Sequence, residues 1–223
     1  IAWPPYPIFE DAKFNSEPGA YTGWFWQDSN DDQTIQETEL TKSPTPGHGF
    51  GGFNWVDAEL NLWDSRGYVY RPVKLEPDGR PVYEFDKPEK RETNAAAPMS
   101  ELWIDDSDKS IYSINNDGDA GLSHTSADGK TLWQFNVTGS WRAILNKAIA
   151  KPGQVWGPTS PLGVAGDVTG VATYFGLFDL FTRDGIYLTK LFKDVRLGET
   201  GPEVINAEAF AGQLIRTKKS GRY

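Results

Sequence analysis

Asp28, Asn30, Asp32 and Glu39 stand at positions 1, 3, 5 and 12 of a twelve-residue stretch, with the apolar Ile35 at position 8. Oxygen ligands at that spacing suit a calcium ion, because alternate side chains of a tight loop turn inward. The Thr34 carbonyl can supply a further ligand, Gln36 can hold a water, and Glu39 can close the shell with two oxygens. Five carboxylates in these twelve residues repel one another unless a cation sits among them. Position 6, where the chain needs a positive φ and glycine is usual, is Gln33. The flank Gly23-Trp24-Phe25-Trp26 is aromatic and short, a strand and not a helix, so the spacing predicts a static calcium staple and no helix-loop-helix sensor. The alternative is an acidic surface turn whose Asp and Asn residues cap a short helix near residues 34–40.

Other chemistry is sparse. His48 and His124 are the only histidines, which excludes a histidine cluster for zinc or haem. His48, flanked by glycines, can approach a ligand closely, whereas His124 reads as a structural strand residue. With no cysteine there is no disulfide, thiolate metal site or cysteine nucleophile. No nucleophile elbow, phosphate loop or dinucleotide glycine pattern follows a strand. The aromatic share is 13%, and rings near loops, Trp26, Trp55 and Trp156, are candidate platforms for a sugar face. Thirty-one acidic residues also allow a two-carboxylate hydrolase, but they single out no pair. Residues 105–108 and 115–117 read as solvated hairpin tips, with a second, weaker calcium site as the alternative.

A net charge of -9 opposes coating by nucleic-acid phosphates and suits divalent cations. No apolar run is long enough to span a bilayer. The ends at Ile1 and Tyr223 read as cuts from a longer chain.

These residues need a scaffold, and the sequence predicts an all-β one. Residues 1–20, opening Trp3-Pro4-Pro5-Tyr6-Pro7, form a proline-rich strap, and residues 21–223 form the domain. Hairpins follow at residues 60–70, with a turn at Asp78-Gly79, and again at residues 110–135, with turns at Gly118 and Asp128-Gly129. A third copy over residues 178–188 aligns Gly185 with Gly67 and Gly118. Four short strands per unit of this length predict about three to four β-propeller-like blades, an incomplete ring, with a β-sandwich as the alternative. Residues 141–150 supply one short helical insert, ended by Lys151-Pro152-Gly153.

The repeated apolar-Asp-x-x-Gly-aromatic unit, together with the Trp24 strand and the Asp28 to Glu39 loop, resembles the propeller repeats of large secreted or periplasmic bacterial proteins of planctomycete type. That resemblance implies a propeller fold, an EF-hand-like calcium loop and an extracytoplasmic location. Asp128-Gly129-Lys130-Thr131-Leu132-Trp133 is similar to the docking motif of quinoprotein propellers, which implies a structural tryptophan packing adjacent blades and, more remotely, a quinone oxidoreductase. Together these readings predict a calcium-stabilised binding or scaffolding module for carbohydrate or protein. A polysaccharide-active hydrolase or lyase is the alternative. A ring of so few blades needs another chain, another copy or further residues to complete it.

Overall fold

The computed structural model describes residues 24–44, 53–91, 100–115, 121–135, 155, 159–173, 176–192, 213–217 and 219–222. The strap 1–20, His48, the Gly118 turn, the helix expected over 141–150 and Trp156 lie outside the described residues. The chain divides into two compact units, the first holding residues 1–63 and 68–90, the second 64–67 and 91–223. The regular elements of the described residues are all β-strands, apart from one 3-10 turn at Glu37–Glu39. Among them the strands form separate antiparallel sheets, and no sheet closes into a barrel or ring.

In the first unit, β1 (Trp24–Trp26) pairs with β2 (Leu40–Lys42) and so closes the base of the acidic loop. β3 (Phe53–Val56), β4 (Leu62–Asp64) and β5 (Tyr68–Tyr70) form a meander. β6 (Pro72–Leu75) and β7 (Pro81–Tyr83) then pair with each other, and β8 (Glu89–Lys90) returns to β5. β5 with β6, and β7 with β8, thus make one interrupted hairpin with Gly79 at its tip. Phe25 on β1 stacks on Phe85 with ring centroids 4.4 Å apart, and it leans on Tyr70 at 5.1 Å.

The second unit is more regular. β9 (Ser100–Ile104), β10 (Ile111–Asn115), β11 (Gly121–Thr125) and β12 (Thr131–Phe135) form one four-stranded meander. β13 (Thr159–Ala165), β14 (Val168–Thr173), β15 (Phe178–Thr182) and β16 (Tyr187–Leu191) form a second. β-branched and aromatic residues are frequent in these strands, as suits a half-buried pleated surface. One face of the first sheet carries Trp103, Tyr112, His124 and Trp133 at paired register positions on its four strands. Trp103 stacks on Tyr112 and Tyr112 on His124, at 5.4 and 4.0 Å. That face meets the second sheet, where Trp103 Nε1 donates to Thr169 Oγ1 (3.2 Å) and Phe135 stacks on Phe181 at 5.6 Å. On the far side of the second sheet Leu162, Ala172 and Phe178 form a core joined by Leu180 and Leu214.

The last hairpin of each meander turns in the same way. Thr182 N donates to Ile186 O (2.8 Å) and Gly185 N to Thr182 O (3.0 Å). Ser126, Gly129 and Lys130 repeat this at 2.9 and 2.9 Å, and Glu76, Gly79 and Arg80 at 2.9 and 2.8 Å. The three glycines have φ of +90°, +89° and +88°, a conformation closed to most side chains. By position in the meander, Gly185 is therefore the counterpart of Gly129 and Gly79. The aligned partner of Gly67 is instead Gly176, which joins β14 to β15. This corrects the alignment drawn from sequence, because in both the Gly67 and the Gly185 turn the glycine N–H donates to the carbonyl three residues before it, and only strand order tells them apart.

Candidate functional site

The acidic loop is a tight turn between β1 and β2 with two left-handed residues. Gln33 adopts a left-handed φ of +58°, and Asp31 does so at +62°. Asp28 accepts hydrogen bonds from Asp31 N (2.7 Å) and Gln33 N (2.9 Å), which holds the chain in that conformation. Asn30 Oδ1 accepts from Asp32 N, and Asp32 Oδ1 accepts from Thr34 N. Asp32 Oδ2 receives both Asn30 Nδ2 (3.1 Å) and Gln36 Nε2 (2.6 Å). The expected ligands Asp28, Asn30, Asp32, Thr34 and Gln36 therefore share one hydrogen-bonded loop.

Glu39 is engaged elsewhere. Its carboxylate accepts from Ser29 N (2.8 Å), Ser29 Oγ (3.0 Å) and Trp26 Nε1 (3.0 Å). The Ser29 amide first, then the Trp26 indole, hold it below the usual carboxylate range. Among the described residues no three Asp, Glu or His side chains are gathered closely enough to hold a metal ion. The donor types fit calcium, since all are hard oxygens on a suitable main-chain path, but Glu39 does not face the same point as Asp28 and Asp32. The short helix of the alternative reading is present as the 3-10 turn Glu37–Glu39, which has no side-chain cap.

Of the aromatic candidates, Trp26 is 40% exposed with its indole N–H held by Glu39. Trp55 is half-buried in β3, and its indole nitrogen is buried with no hydrogen-bond partner. The two do not form a joint platform in any contact among the described residues.

The second unit carries an arrangement that sequence reading missed. An open cleft of about 720 Å³ is lined by Asp108, His124, Leu132, Trp133, Arg183 and Asp184, among others. Arg183 Nη2 lies 2.7 Å from Asp105 Oδ2 and 2.6 Å from Asp108 Oδ2. Asp106, Ser107 and Asp108 form the exposed tip expected from their acidity, whereas Asp105 at its base is buried. Burial raises the Asp108 carboxyl, but the Ser110 amide (2.9 Å) and the Arg183 charge outweigh it and leave the group below its ordinary range.

His124 bonds at both nitrogens, Nδ1 to Arg183 O (3.1 Å) and Nε2 to Ser110 Oγ (2.8 Å). A carbonyl can only accept, so Nδ1 carries the proton and Nε2 accepts from the serine. Burial holds this imidazole below its usual range. Trp133 Nε1 donates to the same Arg183 carbonyl (2.8 Å), and its ring lies over Gly185, where an added Cβ would sit 2.9 Å from the indole. The structural part expected of Trp133, packing one sheet on the next, is thus what it does. Gly185→Ala is expected to cost about 1–3 kcal/mol from backbone strain, with more from the clash, read by chemical denaturation. The only sequence signals for this lock were Trp133 and the repeated Asp-Gly turn, since Arg183 and Asp108 are 75 positions apart.

No protein-family model matches the chain, and no curated protein matches it.

Proposed function

We propose that this chain is a binding and scaffolding module, built of antiparallel sheets and stapled at its acidic loop by calcium. One observation carries the scaffolding part. The groups of the cleft best suited to acid–base work, His124 and the Arg183–Asp108 pair, are already bonded across the two sheets. A general base needs a free lone pair facing substrate, and the free lone pair of His124 is taken by Ser110. The arrangement joins sheets, and no nucleophile and base converge in this cleft among the described residues.

The calcium part is supported by the donor chemistry and by the left-handed Gln33, the conformation such a loop needs at that position. Asp28, Asn30, Asp32, the Thr34 carbonyl, Gln36 through water, and Glu39 would hold the ion. It would neutralise an acidic loop whose side chains are otherwise exposed, and millimolar extracytoplasmic calcium suffices for a site this open. Full ligation recruits Glu39 away from Trp26, so ion binding should change the Trp26 indole environment.

The test is calcium titration followed by the Trp26 indole proton in NMR, assigned with Trp26→Phe because the chain has nine tryptophans. The expected result is a saturable shift, lost in Asp28→Ala, with stabilisation of about 2.7 kcal/mol at a hundredfold excess of calcium over its dissociation constant. No shift and no gain in stability with calcium would reduce the loop to a capped acidic turn.

A further inference from the structure

Three hairpin tips among the described residues carry an Asp-Gly pair, Asp78-Gly79, Asp128-Gly129 and Asp184-Gly185, and a fourth pair, Asp117-Gly118, lies outside them. The three share one backbone path, with the glycine N–H donating to the carbonyl three residues before it. In two of them a hydroxyl holds the aspartate. Ser126 Oγ donates to Asp128 Oδ1 and accepts from Lys130 N (3.1 Å). Thr182 Oγ1 donates to Asp184 Oδ1 and accepts from Ile186 N (2.9 Å). At the third tip Glu76 stands in the place of Ser126 and Thr182, and its carboxylate is paired with Lys74 Nζ (2.7 Å). Asp78 therefore has no hydroxyl donor from that position. Its Oδ1 accepts from Arg80 N (3.0 Å), and its side chain is 65% exposed. The tips differ at the glycine as well. A Cβ on Gly185 would stand 2.9 Å from the Trp133 indole, whereas among the described residues nothing lies within 4 Å of one on Gly79.

From this we infer that Asp78-Gly79 is a self-modification site, the one of these three tips at which aspartate converts to isoaspartate. The Gly79 nitrogen attacks Cγ of Asp78 and loses its proton, the carboxyl group loses its hydroxyl, and the two leave as water while a five-membered succinimide closes. Water then adds to one of the two ring carbonyls. Addition at Cγ restores aspartate. Addition at the main-chain carbonyl breaks its bond to the Gly79 nitrogen and leaves the chain running through Cγ, which is isoaspartate. Nothing is oxidised or reduced, and water is the only reagent. Glycine suits the step because no side chain shields its nitrogen. At the other two tips the carboxyl group must first leave a hydroxyl bonded to its charged form. The Ser126 hydroxyl also holds Asp128 below its ordinary range, so that it stays a carboxylate with no good leaving group. At Gly185 the closing ring meets the Trp133 indole in addition. Isoaspartate lengthens the main chain at the tip, which disturbs the bond from Gly79 N to Glu76 O (2.8 Å) and moves Arg80, whose guanidinium donates to Asp28 O of the acidic loop. Modification thus accumulates with the age of the chain and reaches that loop through Arg80. The inference depends on neither calcium nor a partner.

The test incubates the whole chain for weeks at neutral pH in water enriched in the heavy oxygen isotope, then digests it and follows the peptides holding the three pairs by mass spectrometry. Each ring opening leaves one heavy oxygen in the residue, and chromatography separates the isoaspartyl peptide from its aspartyl form. Heavy oxygen is expected to enter Asp78 at least roughly tenfold faster than Asp128 or Asp184, the factor on a rate when a hydrogen bond to a charged group must first break. Glu76→Thr installs the missing hydroxyl and should slow Asp78 towards the rate of Asp184. Ser126→Ala should release Asp128. In urea, where the tips are lost, the three wild-type rates should merge. Equal incorporation at the three folded tips, none at Asp78, or an unchanged rate in Glu76→Thr overturns the inference. So does a difference that persists in urea, since it would belong to the neighbouring residues and not to the fold.

Discussion

Replacing Arg183 with methionine is expected to cost about 3–5 kcal/mol of folding stability, the loss usual when one partner of a buried ion pair is removed. The size follows from Asp105, whose side chain is 7% exposed and has the Arg183 guanidinium 2.7 Å away. Methionine keeps much of the volume and the apolar stem, so the loss reports the charge and not a cavity. Restoring neutrality with Asp105→Asn in the same chain should recover a large part of it, and urea denaturation of the four proteins closes the cycle. If the single and double variants are equally unstable, packing and not charge holds the two sheets together. The acid side of the profile should change too. Asp108 is held below its ordinary range, so the stability it contributes is present above that range and lost as pH falls through its lowered pKa. Without Arg183 that loss becomes smaller.

Glu101→Gln is expected to stabilise the protein at neutral and alkaline pH. Glu101 lies on β9, on the face of Trp103 that meets the second sheet, and burial pushes its carboxyl up from 4.5 to about 7. The native state therefore holds a proton that the unfolded chain has released. The stability this proton brings is fully present below 4.5 and is lost as pH rises through about 7. Above that range the ionised group costs about 3 kcal/mol, the shift converted at about 1.4 kcal/mol per pH unit. Glutamine mimics the neutral acid, so wild type and variant should melt together in acid and diverge at alkaline pH. Thermal melts across that range check it, and parallel curves would mean that Glu101 meets water in the native state. The effect opposes that of Asp108, and the two operate in different pH windows.

Much of the local structure was legible in sequence. Alternating apolar and aromatic runs placed β4, β5, β10, β12 and β15, because a half-buried strand shows its period directly. The Asp-Gly pairs placed the turns, since glycine meets the positive φ at no cost. In the loop from Asp28 to Glu39 the need for a left-handed residue at position 6 was legible, but Gln33 is a residue that resists it, and the left-handed Asp31 had no signal. The direction of the Glu39 carboxylate was not, because Trp26 and Ser29 compete for it in space. The repeat was visible, but its phase was misread at Gly185, since two hairpins of one meander use the same turn.

What the sequence by itself determined is the β class and the glycine turns, both set by backbone preferences acting over a few residues. Tertiary structure alone decided which charges are buried and paired. Asp105 reads as part of a solvated tip, but it is buried with Arg183, from a turn in the other sheet, 2.7 Å away, while Asp108 beside the same guanidinium stays exposed. His124 reads as a structural strand residue in sequence, but the partners that make it one, Ser110 and the Arg183 carbonyl, come only with the fold. The physical reason is range. Strand period and turn chemistry are local, whereas desolvation and ion pairing depend on what another sheet brings to the same place, and no short-range pattern encodes that.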